Sequence, residues 1–148
     1  HTTALVELYT SEGCDSCPPA DRWLQGLAAR GLAPDRVVPL SLHVNYWDYI
    51  GWKDPYAQQR FADRQRKLAQ VMKARIVYTP QVLLQGQDFR GWGGKAFAEA
   101  VARINASPPK AAISLALAGG RPDTLDVEVR AELAQPAEEA DAALYLAS

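Results

Sequence analysis

The sequence predicts an α/β domain followed by a smaller, β-rich extension. Three observations carry that reading. A short apolar run, Ala4-Leu5-Val6-Glu7-Leu8-Tyr9, leads into Cys14-Asp15-Ser16-Cys17, and a helix-like segment from Arg22 leads out of it. Apolar strand-like runs then alternate with helical patterns as far as Ile104. Past Ser107-Pro108-Pro109-Lys110 the apolar period changes from about 3.6 to about 2. These set a first domain over residues 1–107 and an extension over 108–148.

At 148 residues the chain can bury a real core. Folding at this size hides roughly 70% of the unfolded surface. Sixteen basic and 17 acidic residues leave a net charge of −1. That gives no basic footprint for nucleic acid and no polybasic patch for anionic lipid. No apolar run approaches the roughly 20 residues of a membrane span.

The elements follow in order. Ala4 to Thr10 reads as a buried strand. Glu7 interrupts it, either as an acid beneath the cysteines that accepts a proton or as a residue on a partly exposed strand face. Cys14 and Cys17, the only cysteines, sit at the strand-to-helix junction. Two intervening residues let one helical turn bring both sulfurs into bonding reach. The first cysteine then lies at a helix N-terminus, where unpaired N–H groups and the dipole favour a thiolate. Such sites lower a thiol pKa from about 8.5 to roughly 3.5–7.5. Cys14 is therefore the expected nucleophile and Cys17 the resolving thiol. Asp15 opposes thiolate formation next door. The alternatives are an inert disulfide, or half of a zinc site in a chain whose only histidines are His1 and His43.

Pro18 to Arg30 reads as a helix, with Trp23, Leu24, Leu27 and Ala28 on its apolar side and Gly31 as its stop. Val37 to Val44 reads as a second strand, parallel to the first. His43 comes at its end, where parallel sheets carry their sites, and is a candidate proton acceptor, a metal ligand or a structural residue. Asn45 to Lys53 holds Tyr46, Trp47, Tyr49 and Trp52, a density that suggests a substrate platform mixed with local packing. Asp54-Pro55 reads as an N-cap and first turn of a helix to about Met72, with Tyr56, Phe61, Leu68 and Met72 packing and a basic stretch at Arg60, Arg64, Arg66 and Lys67. Pro80 to Leu84 and Phe89 to Trp92 read as a hairpin through Gly86-Gln87-Asp88. Lys95 to Ile104 reads as the last helix. In the extension, Ile113, Leu115 and Leu117 alternate, then Leu125, Val127 and Val129, and Ala142 to Leu146 reads as a third strand.

Thr79-Pro80 directly before an apolar run resembles the cis-proline segment of thioredoxin-like proteins. Three longer stretches resemble the family called DUF1223, thioredoxin-like bacterial proteins that are usually exported. They are Leu8 to Cys14 with Ser16 to Asp21, His43 to Pro55, and Val77 to Gln81. The resemblance implies a thioredoxin-like fold, a mixed central sheet flanked by helices, with a C-terminal antiparallel β extension. It also implies a cis bond at Pro80, with Pro80 and Thr79 shaping the substrate edge opposite the cysteines.

The expected function is thiol–disulfide exchange with protein substrates, through Cys14, Cys17 and Pro80, with Thr79, Tyr46, Trp47 and Trp52 contacting substrate. No organic cofactor is needed. The partners are protein thiols or disulfides and a redox partner protein. The alternatives are a Cu(I) module built from Cys14, Cys17 and His43, and a non-catalytic interaction domain. The start at His1-Thr2-Thr3, without an initiator Met, fits an exported protein after signal removal, periplasmic or secreted, or a tag remnant.

Overall fold

A computed structural model describes every residue except 121–122, 136–142 and 147–148. Strand β1 (Ala4–Thr10) is buried along nearly its whole length because sheet neighbours flank it and helices cover both its faces. Helix α1 is Pro18–Gln25, strand β2 is Val37–His43 and helix α2 is Gln59–Val71. Strands β3 (Gln81–Leu84) and β4 (Gln87–Asp88) precede helix α3 (Lys95–Asn105). The sheet order is β2-β1-β3-β4, with β2 parallel and β3 antiparallel to β1. Pro39 is tolerated in β2 because that strand is an edge. This mixed α/β arrangement is the expected one and is consistent with a thioredoxin-like α/β fold.

Alternation along β1 divides the core. Ala4, Val6 and Leu8 meet α1 and α3 through Leu24, Phe97 and Val101. Tyr9 meets α2 on the other face through Ala62, with Leu42 and Leu83 beside it. Each fully buried Leu or Val is worth about 1.5–3 kcal/mol. Trp23 and Trp92 cap the first face, with ring centroids 5.2 Å apart and Phe97 4.8 Å from Trp23.

Register decides where the site falls. Thr10, the last residue of β1, pairs with His43, the last of β2, and Tyr9 pairs with Gln81, the first of β3. The loops after β1 and β2 and the segment before β3 therefore meet at one sheet end.

Several expected boundaries are corrected. Helix α1 stops at Gln25, and a short 3₁₀ turn covers Ala28–Arg30 before Gly31 turns left-handed at φ 79°. Gly26 forms the C-cap, so Ala28 lies beyond the helix and is exposed. Helix α2 begins at Gln59 rather than Pro55, because the Asp54 carboxylate caps a local turn through Tyr56 N–H, and Gln58 N–H goes to the His43 carbonyl. Tyr56 is consequently exposed rather than packed. The hairpin turns at Gln85-Gly86, both at positive φ, and its return strand occupies residues expected to form the turn.

The chain divides into two compact units, Thr3–Ala106 and His1–Thr2 with Ser107–Ser148. In the second, β5 (Ala111–Ala118) pairs antiparallel with β6 (Asp126–Leu133). The expected third strand is corrected in part: residues 143–146 form no strand, and Ala142 lies outside the described residues.

Candidate functional site

Cys14 and Cys17 are joined by a disulfide, with Cα atoms 5.4 Å apart. Cys17, not Cys14, is the N-cap of α1, and Cys14 lies in the turn that runs into it. The expected seat of Cys14 at the helix N-terminus is corrected accordingly. Both prolines are accommodated at the start of α1, where no intrahelical N–H bond is lost. Cys14 is 4% exposed and Cys17 fully buried, and the Ser16 hydroxyl lies 3.6 Å from Cys14 Sγ.

The disulfide loop is bracketed by the aromatic loop after β2. A Cβ at Gly13 would meet Trp47 Cβ and Ile50 Cδ1 at 3.2 Å, so a larger residue would make the aromatic loop give by a few tenths of an ångström. Trp47 Nε1–H donates to Thr79 Oγ1 at 2.8 Å. The Thr79–Pro80 peptide is cis, as the resemblance implied. Trp47 thus links the loop that carries Cys14 to the residue before the cis-proline.

The cis-proline segment is fixed from α2 as well. Gln65 is 1% exposed and donates through Nε2 to the Tyr78 carbonyl at 2.9 Å and to Gln81 Oε1 at 2.8 Å. Tyr46 donates to Gln65 Oε1 at 3.0 Å, and burial pushes its phenol pKa up against that hydrogen bond. Tyr78 donates to Asp88 at 2.7 Å, and burial with the Asp88 charge pushes its phenol up to about 12. Beside Pro80 opens a mostly apolar cleft of about 350 Å³, lined by Ile76, Tyr78, Val82, Phe89, Arg90 and Trp92.

On the outer side Trp52 is 59% exposed, and its Nε1–H donates to Glu12 at 2.6 Å. Tyr49 and Tyr56 stand out further, at 81% and 64% exposed. Asp54 is buried beneath them. Its Oδ2 accepts from His43 Nδ1 at 2.6 Å and from Glu12 N–H at 2.9 Å. Burial pushes this carboxyl up, but the hydrogen bonds from Glu12, His43 and Tyr56 outweigh it and hold the pKa below the usual carboxylate range.

The candidate residues therefore part into groups. Cys14, Cys17, Trp47, Thr79 and Pro80 form one connected cluster. Tyr46 faces α2, and Trp52 guards the loop before Cys14. His43 is held by Asp54 and meets the Tyr56 ring edge-on at 5.4 Å. Glu7 is 1% exposed, so the partly exposed strand face is corrected. Its partners are Arg64 at 2.6 Å and Tyr9 at 3.2 Å, on the α2 side of β1 and across the sheet from α1. Among the described residues no group of three His, Cys, Asp or Glu gathers to hold a metal ion. No described helix is long and apolar enough to cross a membrane.

Gly13, Ile50, Asp54 and Gln65 escaped the sequence reading as site residues. Asp54 has a visible signal, an acid following an aromatic cluster, but Asp54-Pro55 also has the local form of a helix cap. Gln65 has none, since its partners are 13, 16 and 19 residues away.

A family model described as a protein of unknown function (DUF1223) matches residues 5–148. The crystal structure of protein AGR_C_4864 from Agrobacterium tumefaciens is similar, with TM-score 0.69 and 32% identity over 87% of this chain. HBP35 of Porphyromonas gingivalis shares the fold at TM-score 0.62 and 16% identity over 89% of this chain. The chain spans 57% of the length of the first and 43% of the second. No curated protein matches.

Proposed function

The chain belongs to the DUF1223 family, and we propose that within it this protein is a thiol–disulfide oxidoreductase of the thioredoxin superfamily. One observation carries the reading. Trp47 brackets the Cys14–Cys17 loop at Gly13 and donates to Thr79 beside the cis Pro80. Trp47 thereby ties the loop that carries the disulfide to the Thr79–Pro80 segment, the edge that an exchange enzyme offers its substrate.

In this reading Cys14 attacks a substrate disulfide to form a mixed disulfide, and Cys17 resolves it. Cys14 takes the nucleophile's role because Cys17 is more deeply buried at the helix cap. An extended substrate segment lies along Thr79 and Pro80, with an apolar side chain in the cleft at Val82 and Trp92. Exposed Trp52 and Tyr49 widen the contact. The partners are protein thiols or disulfides and a second dithiol protein. An oxidising compartment such as the periplasm suits a dithiol that must be re-formed as a disulfide.

The reduction potential of the Cys14–Cys17 pair in a glutathione series tests this. A reversible two-electron transition between roughly −120 and −270 mV is expected, the span of known oxidants and reductants. A pair that stays oxidised below about −300 mV behaves as a structural disulfide and defeats the reading.

A further inference from the structure

Among the described residues that line the cleft beside Pro80, one side chain is charged, Arg90. The apolar walls are shaped by packing behind them. Val82 is 1% exposed, Phe89 meets Phe97 edge-on at 5.8 Å, and Trp92 leans on Trp23 at 5.2 Å. The Phe89 N–H also donates to the Val82 carbonyl at 2.8 Å. Walls held this way lose little freedom when a side chain enters. The polar wall is held as well. Asp88 Oδ1 accepts from the Tyr78 hydroxyl at 2.7 Å and from Gln81 Nε2 at 3.2 Å, and Oδ2 accepts from Arg90 Nε at 3.2 Å. The Arg90 guanidinium carbon lies 5.4 Å from the centroid of the Tyr78 ring, itself a wall of the cleft. Arg90 is thus fixed through Nε and the ring, while its two Nη groups have no hydrogen-bond partner among the described residues. Its side chain is 77% exposed. A guanidinium offers parallel N–H groups that match a carboxylate, so an arginine fixed this way is set for an incoming acid. Next to Pro80, the Thr79 N–H and carbonyl have no hydrogen-bond partner among the described residues. Where an extended chain is bound along such an edge, main-chain bonds give affinity and side-chain pockets give specificity.

We propose that this cleft selects the protein substrate by an acidic, apolar segment: an extended stretch whose large apolar side chain, of the Phe or Leu class, enters the cleft while an Asp or Glu within two residues of it pairs with Arg90. This rests on the oxidoreductase reading and names the substrate class at that same site. Charge complementarity fixes the sign of the flank, since a Lys or Arg there would set like charges together. Asp88 does not supply a rival site for a cation, because both its oxygens are already engaged by Tyr78, Gln81 and Arg90. Residues two apart on an extended chain share a face about 7 Å apart, within the span of an arginine side chain, which sets the two-residue limit. Arg90 therefore acts on the choice of substrate and takes no part in breaking or forming S–S bonds.

The test oxidises the reduced full chain with symmetrical disulfide dimers of short single-cysteine peptides. Each event converts the dithiol to the Cys14–Cys17 disulfide and the dimer to two thiols. A Phe with a Glu two residues on is placed at successive distances either side of the peptide cysteine, and each placement is compared with its Phe/Lys and Ala/Glu counterparts. In at least one placement the second-order rate should exceed that of Ala/Glu about 10-fold and that of Phe/Lys about fivefold. Arg90→Glu should abolish or reverse the preference for Glu over Lys while Phe stays ahead of Ala. Ile76→Asp should reduce the preference for Phe over Ala. Both positions are exposed, and a ratio of two peptides on one variant cancels any general loss of activity. No placement with both preferences, or a Glu preference that survives Arg90→Glu, overturns this inference while the wild type is still oxidised by bis(2-hydroxyethyl) disulfide, and leaves the oxidoreductase reading standing. A wild-type protein oxidised neither by the peptides nor by that small neutral disulfide defeats that reading and this one with it.

Discussion

At the residue scale, Glu7 shows how a buried charge is kept. Its carboxylate lies within β1 at 1% exposure, with Arg64 Nε 2.6 Å from Oε1 and the Tyr9 hydroxyl at 3.2 Å. Oε2 is buried and finds no partner, so the whole of its satisfaction rests on one oxygen. The hydrogen bond that Arg64 donates to Glu7 is the main reason the Arg64 pKa rises, while burial and the Glu7 charge push the Tyr9 phenol up. Removing one member of a buried pair strands the other at a cost of about 3–5 kcal/mol. Arg64 is 40% exposed, which places Arg64→Met toward the low end, about 3 kcal/mol. Urea unfolding at neutral pH measures it. A further Glu7→Gln substitution should return most of the loss, because the stranded charge is then gone. A loss under about 1 kcal/mol for Arg64→Met would show that the pair is not holding an ionised Glu7. The sequence could not announce this pair. Arg64 reads there as one of several cations on a solvated helix face, and its partner lies 57 residues away.

At the scale of elements, the segment after β2 does the assembling. Its aromatic density was legible, and the structure divides those rings by role. Trp47 goes to Thr79, Tyr46 goes to Gln65, and Trp52 remains exposed over Glu12. The cysteine spacing and the Thr-Pro were legible because their signals are local in sequence. The start of α2 was misplaced because Asp54-Pro55 has the local form of a helix cap while its carboxylate serves tertiary partners, His43 and Glu12. Those partners make acid stability a test of the segment. The folded-state pKa of Asp54 is lowered from 3.8, so its contribution is fully present above that value and is lost as pH falls through the lower folded value. Asp54→Asn should therefore be less stable than wild type at neutral pH and should show a shallower loss below about pH 4. Unfolding midpoints between about pH 2 and 6 give both curves. Parallel curves would mean that the Asp54 carboxylate contributes nothing to folding through its charge.

At the scale of the whole molecule, the division of the chain predicts what can stand alone. Both hydrophobic clusters, from Ala4 to Ile104, lie within Thr3–Ala106, as do the disulfide, the cis-proline and the His43–Asp54 pair. The other unit holds a two-stranded sheet in which Ile113, Leu115 and Leu117 are 57–64% exposed. Alternation made those strands legible, since period 2 needs no partner to be seen. It could not show which apolar face is covered, because burial depends on contacts outside the hairpin. An isolated two-stranded hairpin is marginally stable at best in water. A chain ending at Ala106 should therefore unfold cooperatively and keep the reduction potential of the full chain to within about 30 mV, a difference of about 1.4 kcal/mol. A peptide spanning residues 107–135 should show no cooperative transition. Thermal unfolding by circular dichroism and the glutathione series read both. A shortened chain that folds but shifts the potential further than this would mean that the extension bears on the dithiol. One that cannot fold would mean that the core of the first unit is insufficient without the second.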